Sequence, residues 1–276
     1  MSYLEFYSLK EHPFSISVDN RFYYNSSLHA EALVRLKHAA ESRKGLAILL
    51  GDVGSGKTTV AQQMLDALDE KSYESALLIV IHASVTSQWL LRKIAMQLGV
   101  QTPAEDKTDL LSQLFQRLVQ IYESGRKAVV LIDEAQMLRT KEVMEELRGV
   151  LNIEMDGQKL ITFILFGLND LDNCLALDEA LRQRVAMRHH LLSFTQNITE
   201  DYIRYRLQVA GAKTDPFSKD ALDAIHHYSG GIPRLINIIC DNAMLEGFLR
   251  KKEKIEADMI KEVAQDLKLN PLITQK

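Results

Sequence analysis

Residues 46–59 read Leu46-Ala-Ile-Leu-Leu50-Gly51-Asp-Val53-Gly54-Ser55-Gly56-Lys57-Thr58-Thr59. Leu46–Leu50 is an apolar run of strand length, and Thr59 to Leu68 has the composition of a helix. Strand, glycine-rich turn, Lys-Thr and helix, in that order, are what a phosphate-binding loop requires. Glycines let backbone N–H groups wrap a polyphosphate without Cβ clashes, and the helix N-terminus adds partial positive charge. The loop predicts a nucleoside triphosphate held by Gly51, Val53, Gly54, Ser55, Gly56, Lys57, Thr58 and Thr59. Lys57 is expected to reach the β- and γ-phosphates, and Thr58 to hold Mg²⁺ through its hydroxyl. A glycine-rich turn that matches by chance is the competing explanation, and the full GxxxxGKT in this setting weighs against it.

A second motif lies downstream. Ala128-Val-Val-Leu-Ile-Asp133-Glu134-Ala-Gln136 is an apolar strand ending in two carboxylates, 76 positions after Lys57. Open α/β sheets deliver ligand-binding residues at the C-terminal ends of their strands. Asp133 is expected to complete the Mg²⁺ shell, and Glu134 to polarise the water that attacks the γ-phosphate. An acidic pair after a lone strand is more often a helix cap, but the upstream phosphate loop reverses that preference.

Outward from these motifs, short apolar runs alternate with helical patterns. The runs are Leu46–Leu50, Ala76–Ile81, Ala128–Ile132, Leu160–Phe166 and Met187–Leu192. They predict an α/β fold with a five-stranded parallel sheet covered on both faces. Gln88–Leu98 and Leu110–Tyr122 carry leucines at helical spacing, expected to face the core rather than a partner. After Leu192 the strands stop, and Ile198–Ala210, Lys219–Tyr228, Pro233–Leu249 and Glu256–Leu267 read as four helices. The expected organisation is an aromatic-rich lead-in at 1–30, an α/β nucleotide-binding domain at 31–194 and a helical domain at 195–276.

Composition sets the outer limits. The net charge is −4 over 276 residues, and residues 193–276 hold 12 basic and 12 acidic side chains. Neither part is a basic module, so nucleic acid is not expected as a partner. Two isolated cysteines, Cys174 and Cys240, fit a reducing compartment better than a disulfide scaffold. The N-terminus lacks the regions of a signal peptide, and the longest apolar run is about half a membrane span. The expectation is a cytoplasmic chain, with room for a membrane segment in a longer natural protein.

Other residues are read less sharply. After the run 160–166, Asn169 is a candidate for a polar side chain between the carboxylates and the γ-phosphate, and equally a helix start. Arg182, Arg184 and Arg188 precede or enter the last strand, where a transition-state arginine from the same chain or a neighbour is possible. In Gly230-Gly-Ile-Pro233-Arg234, the glycines and Pro233 aim Arg234 from the first turn of a helix toward a bound nucleotide. The pairs His189-His190 and His226-His227 lack metal-ligand spacing. For Trp89 and the lead-in aromatics, packing is favoured over adenine stacking.

With these motifs in order, the chain resembles an AAA+ ATPase: a P-loop NTPase core with a C-terminal all-helical lid. The opening Met-Ser-Tyr-Leu-Glu-Phe-Tyr-Ser-Leu-Lys-Glu-His-Pro-Phe resembles that of secretion-pathway ATPases of the ExeA/GspA type. So do Asp133-Glu134-Ala-Gln136, Gln183-Arg184-Val185 and Ser229-Gly-Gly-Ile-Pro-Arg-Leu-Ile-Asn237. Relatives serve pilus biogenesis and polysaccharide export, and transposition helpers are more distant. The resemblance implies Lys57 and Thr58 as Walker A residues and Asp133 and Glu134 as Walker B. It implies Arg234 as sensor 2 and Arg184 as an arginine finger donated to a neighbouring copy. It further implies ATP and Mg²⁺, a homo-oligomer in the ATP-bound state, and an inner-membrane secretion or pilus partner that would hold the chain at the inner face of that membrane. Where many relatives carry Gly-Gln-Pro-Glu after the fourth strand, this chain has Gly167-Leu168-Asn169-Asp170, so the polar sensor is shifted or lost. A DNA-associated ATPase of the transposition-helper or replication-initiator kind is the alternative function.

Overall fold

The computed structural model describes residues 2–15 and 19–270; the parts of the expected lead-in and C-terminal domain at 1, 16–18 and 271–276 lie outside them. In chain order the elements begin α1 (Tyr3–Phe6), α2 (Ser27–Glu41), β1 (Leu46–Gly51), α3 (Lys57–Asp66), β2 (Tyr73–Ile79), α4 (Ser87–Gln97) and α5 (Lys107–Glu123). They continue β3 (Lys127–Asp133), α6 (Lys141–Leu151), β4 (Glu154–Met155), β5 (Gln158–Lys159), β6 (Ile161–Gly167), α7 (Leu171–Leu175), α8 (Glu179–Arg182) and β7 (Val185–Leu191). Four helices close the series: α9 (Gln196–Val209), α10 (Lys219–Ser229), α11 (Pro233–Leu249) and α12 (Ala257–Asp266). The chain divides into two compact units, His29–Val53 with Lys57–Leu191, and Met1–Leu28 with Gly54–Gly56 and Leu192–Lys276.

The first unit holds the predicted parallel sheet, in the order β2-β3-β6-β1-β7. Every residue of β1 and β6 is buried, as expected for central parallel strands whose two faces are both covered. The ladder sets β1 against β6 from Leu46↔Phe163 to Leu50↔Gly167, and β3 against β6 from Ala128↔Ile161 to Ile132↔Leu165. The C-terminal ends of β1, β3 and β6 therefore emerge together, which brings the two sequence motifs to one edge. Leu110, Leu114, Leu118 and Ile121 of α5 are buried, so the leucine stripe faces the core as expected. Side-chain N-caps at Thr86, Asp106 and Thr140 start α4, α5 and α6.

Two strand starts differ from the sequence reading by more than one residue, and β2 ends at Ile79 rather than Ile81. β2 begins at Tyr73 rather than Ala76, because Tyr73, Glu74 and Ser75 pair with Lys127, Ala128 and Val129 although they are only half buried. β7 begins at Val185 rather than Met187 and alternates half-buried and exposed residues, as an edge strand does. The reading also missed the β4–β5 hairpin. Its Asp156-Gly157 turn has φ of +52° and +73°, the left-handed pair that a two-residue hairpin uses.

The second unit is helical, built on α9 to α12. Its core joins Ile203, Leu222, Ile236, Ile239 and Ile260 to the aromatic residues Tyr7, Phe14 and Phe22. The lead-in aromatics thus pack, as their composition suggested. Arg206 is buried and anchors this segment: it donates to the carbonyls of Pro13 and Ser15 and to the Tyr202 hydroxyl. Its guanidinium lies 5.0 Å from the Phe22 ring centroid. Among the described residues, no helix is long and apolar enough to cross a membrane.

Candidate functional site

The loop between β1 and α3 turns on Gly54 and Gly56, at φ of +80° and +101°. Lys57 opens α3, is 6% exposed, and its Nζ donates to the carbonyls of Gly51 (2.9 Å) and Asp52 (2.8 Å). Its ammonium group therefore lies across the start of the loop. The Ser55 hydroxyl is buried, and among the described residues it has no hydrogen-bond partner. An unpaired buried hydroxyl costs stability, so a donor left over inside this loop fits an oxyanion.

The carboxylates arrive from β3. Asp133, 1% exposed, accepts a hydrogen bond from the Thr58 hydroxyl at 2.7 Å and one from the Glu134 N–H at 2.8 Å. Burial pushes the Asp133 carboxyl above its usual range, and the Thr58 and Glu134 hydrogen bonds and the Lys57 charge oppose that shift. Thr58 and Asp133 thus present a hydroxyl and a carboxylate in contact, two hard oxygen donors of the kind Mg²⁺ takes alongside phosphate oxygens and water. The donor set fits that ion. Glu134 is half buried in the left-handed region, at φ 55° and ψ 35°. Such a conformation is uncommon for a residue with a Cβ and concentrates at functional sites. It turns the chain sharply after Asp133.

The remaining candidates are placed as follows. Asn169 is exposed, and its Oδ1 lies 2.9 Å from His190 Nε2 on β7. The α7 helix starts two residues later, with Asp170 at the cap position and no side-chain cap. Arg182 pairs with Glu179 at 2.8 Å and Arg188 pairs with Asp172. Arg184 is exposed and donates to the neutral side chain of Asn152. Arg234 is exposed in the first turn of α11, with its backbone N–H 3.3 Å from the Gly54 carbonyl. The histidine pairs sit on β7 and α10, and no cluster of three metal-ligating side chains occurs among the described residues. Trp89 packs against the sheet core.

One residue went unassigned in the sequence. Gln136 is 2% exposed, and its side chain contacts both Glu134 and the backbone of Leu168. Its sequence signal was a polar residue two positions after the acidic pair, which carries no chemistry until the fold shows what lies opposite.

The chain is similar to several known proteins. The family model described as an AAA domain matches residues 39–175. General secretion pathway protein A of Aeromonas hydrophila is 38% identical over 256 residues, covering 92% of this chain and 46% of that protein. The chain therefore spans about half the length of that curated relative. Among solved structures, the Aeropyrum pernix ORC2 protein in ADPNP–ADP complexes aligns with a TM-score of 0.67 at 17% identity, covering 93% of this chain and 72% of that one. Drosophila ORC bound to DNA gives 0.69 at 14% identity, over 98% and 67% of the two chains. The Thermotoga maritima RuvB Holliday junction branch migration motor gives 0.56 at 18%, over 93% and 74%. At such identities the likeness is one of fold.

Proposed function

The chain belongs to the AAA domain family and is similar along most of its length to general secretion pathway protein A, and on that premise we propose that it is a Mg²⁺-dependent ATPase. In this reading, hydrolysis of ATP to ADP and phosphate switches its assembly with further copies of itself, in support of an envelope-spanning secretion or pilus machine. The observation that carries the chemistry is the 2.7 Å contact between Thr58 and the buried Asp133 carboxylate, beside a buried Lys57.

The loop N–H groups and Lys57 bind the β- and γ-phosphates and offset their charge. Thr58 and Asp133 hold Mg²⁺, which when bound neutralises charge on the phosphate oxygens. Glu134, one residue beyond Asp133, accepts a proton from the water that attacks the γ-phosphate and so orients it in line. Arg184 and Arg234 supply positive charge to the transferring group, Arg184 to the nucleotide of a neighbouring copy. Asn169 is the remaining candidate for a polar contact to the γ-phosphate. The partner in this reading is an inner-membrane secretion or pilus protein, through which the chain sits at the inner face of that membrane; the name of the relative, general secretion pathway protein A, supports it.

The test is steady-state phosphate release with purified protein, with and without Mg²⁺. Turnover that requires Mg²⁺ and disappears in Lys57→Ala supports the reading. Wild-type protein with no turnover above Lys57→Ala removes it.

A further inference from the structure

Gln136 is held at both ends. Its carbonyl oxygen accepts from Arg139 Nε at 3.2 Å and from Cys174 Sγ at 3.4 Å. Its side-chain Oε1 accepts from the Leu168 N–H at 3.1 Å, and Nε2 donates to Glu134 Oε2 at 2.5 Å. The orientation of the amide follows from its partners. A backbone N–H can only donate, so Oε1 must face Leu168, which leaves the NH₂ group to donate to Glu134 Oε2. A flipped amide would lose both bonds.

The fold makes room for this bridge. Gly167 ends β6 beside the end of β3, and a Cβ there would lie 3.0 Å from Gln136 Oε1 and 3.0 Å from Leu171 Cδ2. Glycine lets the amide approach the backbone at 168. Meanwhile the Asn169 side chain meets His190. The polar link between the end of β6 and Glu134 therefore runs through Gln136.

We propose that Gln136 is a positioning residue: it fixes Glu134 through Oε2, leaves Oε1 for the attacking water, and couples that carboxylate to the backbone after β6. The proposal rests on the ATPase reading and adds to it a contact that no Walker residue makes. A carboxylate on a freely rotating side chain spends little time aligned with a water, and misplacement by about 1 Å can cost on the order of 100-fold in rate. Because Gln136 acts through Glu134, its removal should matter only while Glu134 is present.

Kinetics of the full chain test this with Gln136→Ala, Gln136→Met, Glu134→Gln and the double variant Glu134→Gln/Gln136→Ala. Affinity for a fluorescent ATP analogue with Mg²⁺ and the thermal midpoint are measured on each. Gln136→Met keeps the volume without a donor, so a folded donor-free variant is available if the alanine variant unfolds. Gln136→Met or Gln136→Ala is expected to lower kcat on the order of 100-fold, with KM and analogue affinity within about twofold of wild type. In the Glu134→Gln background the second substitution should change the residual rate by less than about twofold. Unchanged kcat in folded Gln136→Met overturns the proposal, as does a double variant whose losses multiply. So does a loss of analogue affinity as large as the loss of kcat. An active, Lys57-dependent wild type with any of those results leaves the ATPase reading standing. A wild type without Lys57-dependent turnover removes both.

Discussion

Arg206 and Lys57 are both buried cations that differ in what they are held for. Arg206 has three hydrogen-bond acceptors and two aromatic faces within reach, all supplied by its own unit. Its charge is dispersed onto carbonyl and hydroxyl oxygens and needs no ligand. Arg206→Ala should destabilise the helical unit by about 3 kcal/mol, since it leaves the Pro13 and Ser15 carbonyls without their donor and opens a cavity beside Phe22. Denaturant unfolding checks this, and loss of protection of residues 2–15 in hydrogen exchange should accompany it. Lysine should rescue only part, because an ammonium group cannot reproduce the planar fork. Lys57, by contrast, donates to the backbone carbonyls of Gly51 and Asp52 at the start of the phosphate loop. Lys57→Ala is expected to leave the unfolding free energy within about 1 kcal/mol of wild type while abolishing turnover. The first residue was legible in the sequence as a helical arginine and no more, whereas the second was legible in full, because a phosphate loop is defined by local spacing.

At the scale of elements, Asp178 ties two helices together. Its Oδ1 caps α8 through the Leu181 N–H at 3.1 Å, and its Oδ2 accepts from Arg148 of α6 at 2.7 Å. Burial pushes its carboxyl up, but Arg148 and the N–H groups of Leu181 and Ala180 outweigh that and hold it below the ordinary range. A folded-state value below the unfolded one adds stability above the unfolded value and loses it as pH falls through the folded one. Asp178→Ala should therefore cost about 2 kcal/mol at pH 7, the sum of a lost cap and a lost partner for Arg148. The gap between wild type and variant should narrow below about pH 4. A gap independent of pH would show that the charge contributes nothing. Element existence was legible from apolar runs and helical spacing, and element ends were less so. The first three residues of β2 are polar or amphipathic, so nothing local marks them as strand until β3 is beside them.

For the molecule as a whole, the open question is assembly. The three arginines before and within β7 were equivalent by composition, but two are paired with carboxylates and Arg184 is held by an amide. Exchanging a neutral partner for a phosphate costs less than breaking an ion pair. Light scattering of Glu134→Gln with ATP and Mg²⁺ should therefore give at least about twice the 31.3 kDa chain mass, and ADP or Arg184→Ala should return it to monomer. A monomer in every state would remove Arg184 as a finger for this chain. The balanced charge of residues 193–276 gives no basic field for duplex DNA, so addition of DNA should leave the mass unchanged.

The sequence by itself determined the phosphate loop, the acidic pair, the parallel sheet and the four C-terminal helices. Each of these rests on local spacing: glycines within a turn, apolar residues in a run, apolar residues at helical spacing. Tertiary structure alone decided that Thr58 meets Asp133, that Asn169 turns toward His190, and that Gln136 spans Glu134 and Leu168. The Thr58–Asp133, Asn169–His190 and Gln136–Leu168 contacts join residues 21 to 75 positions apart. They depend on the register of parallel strands, which fixes which strand ends lie side by side and which no local pattern encodes.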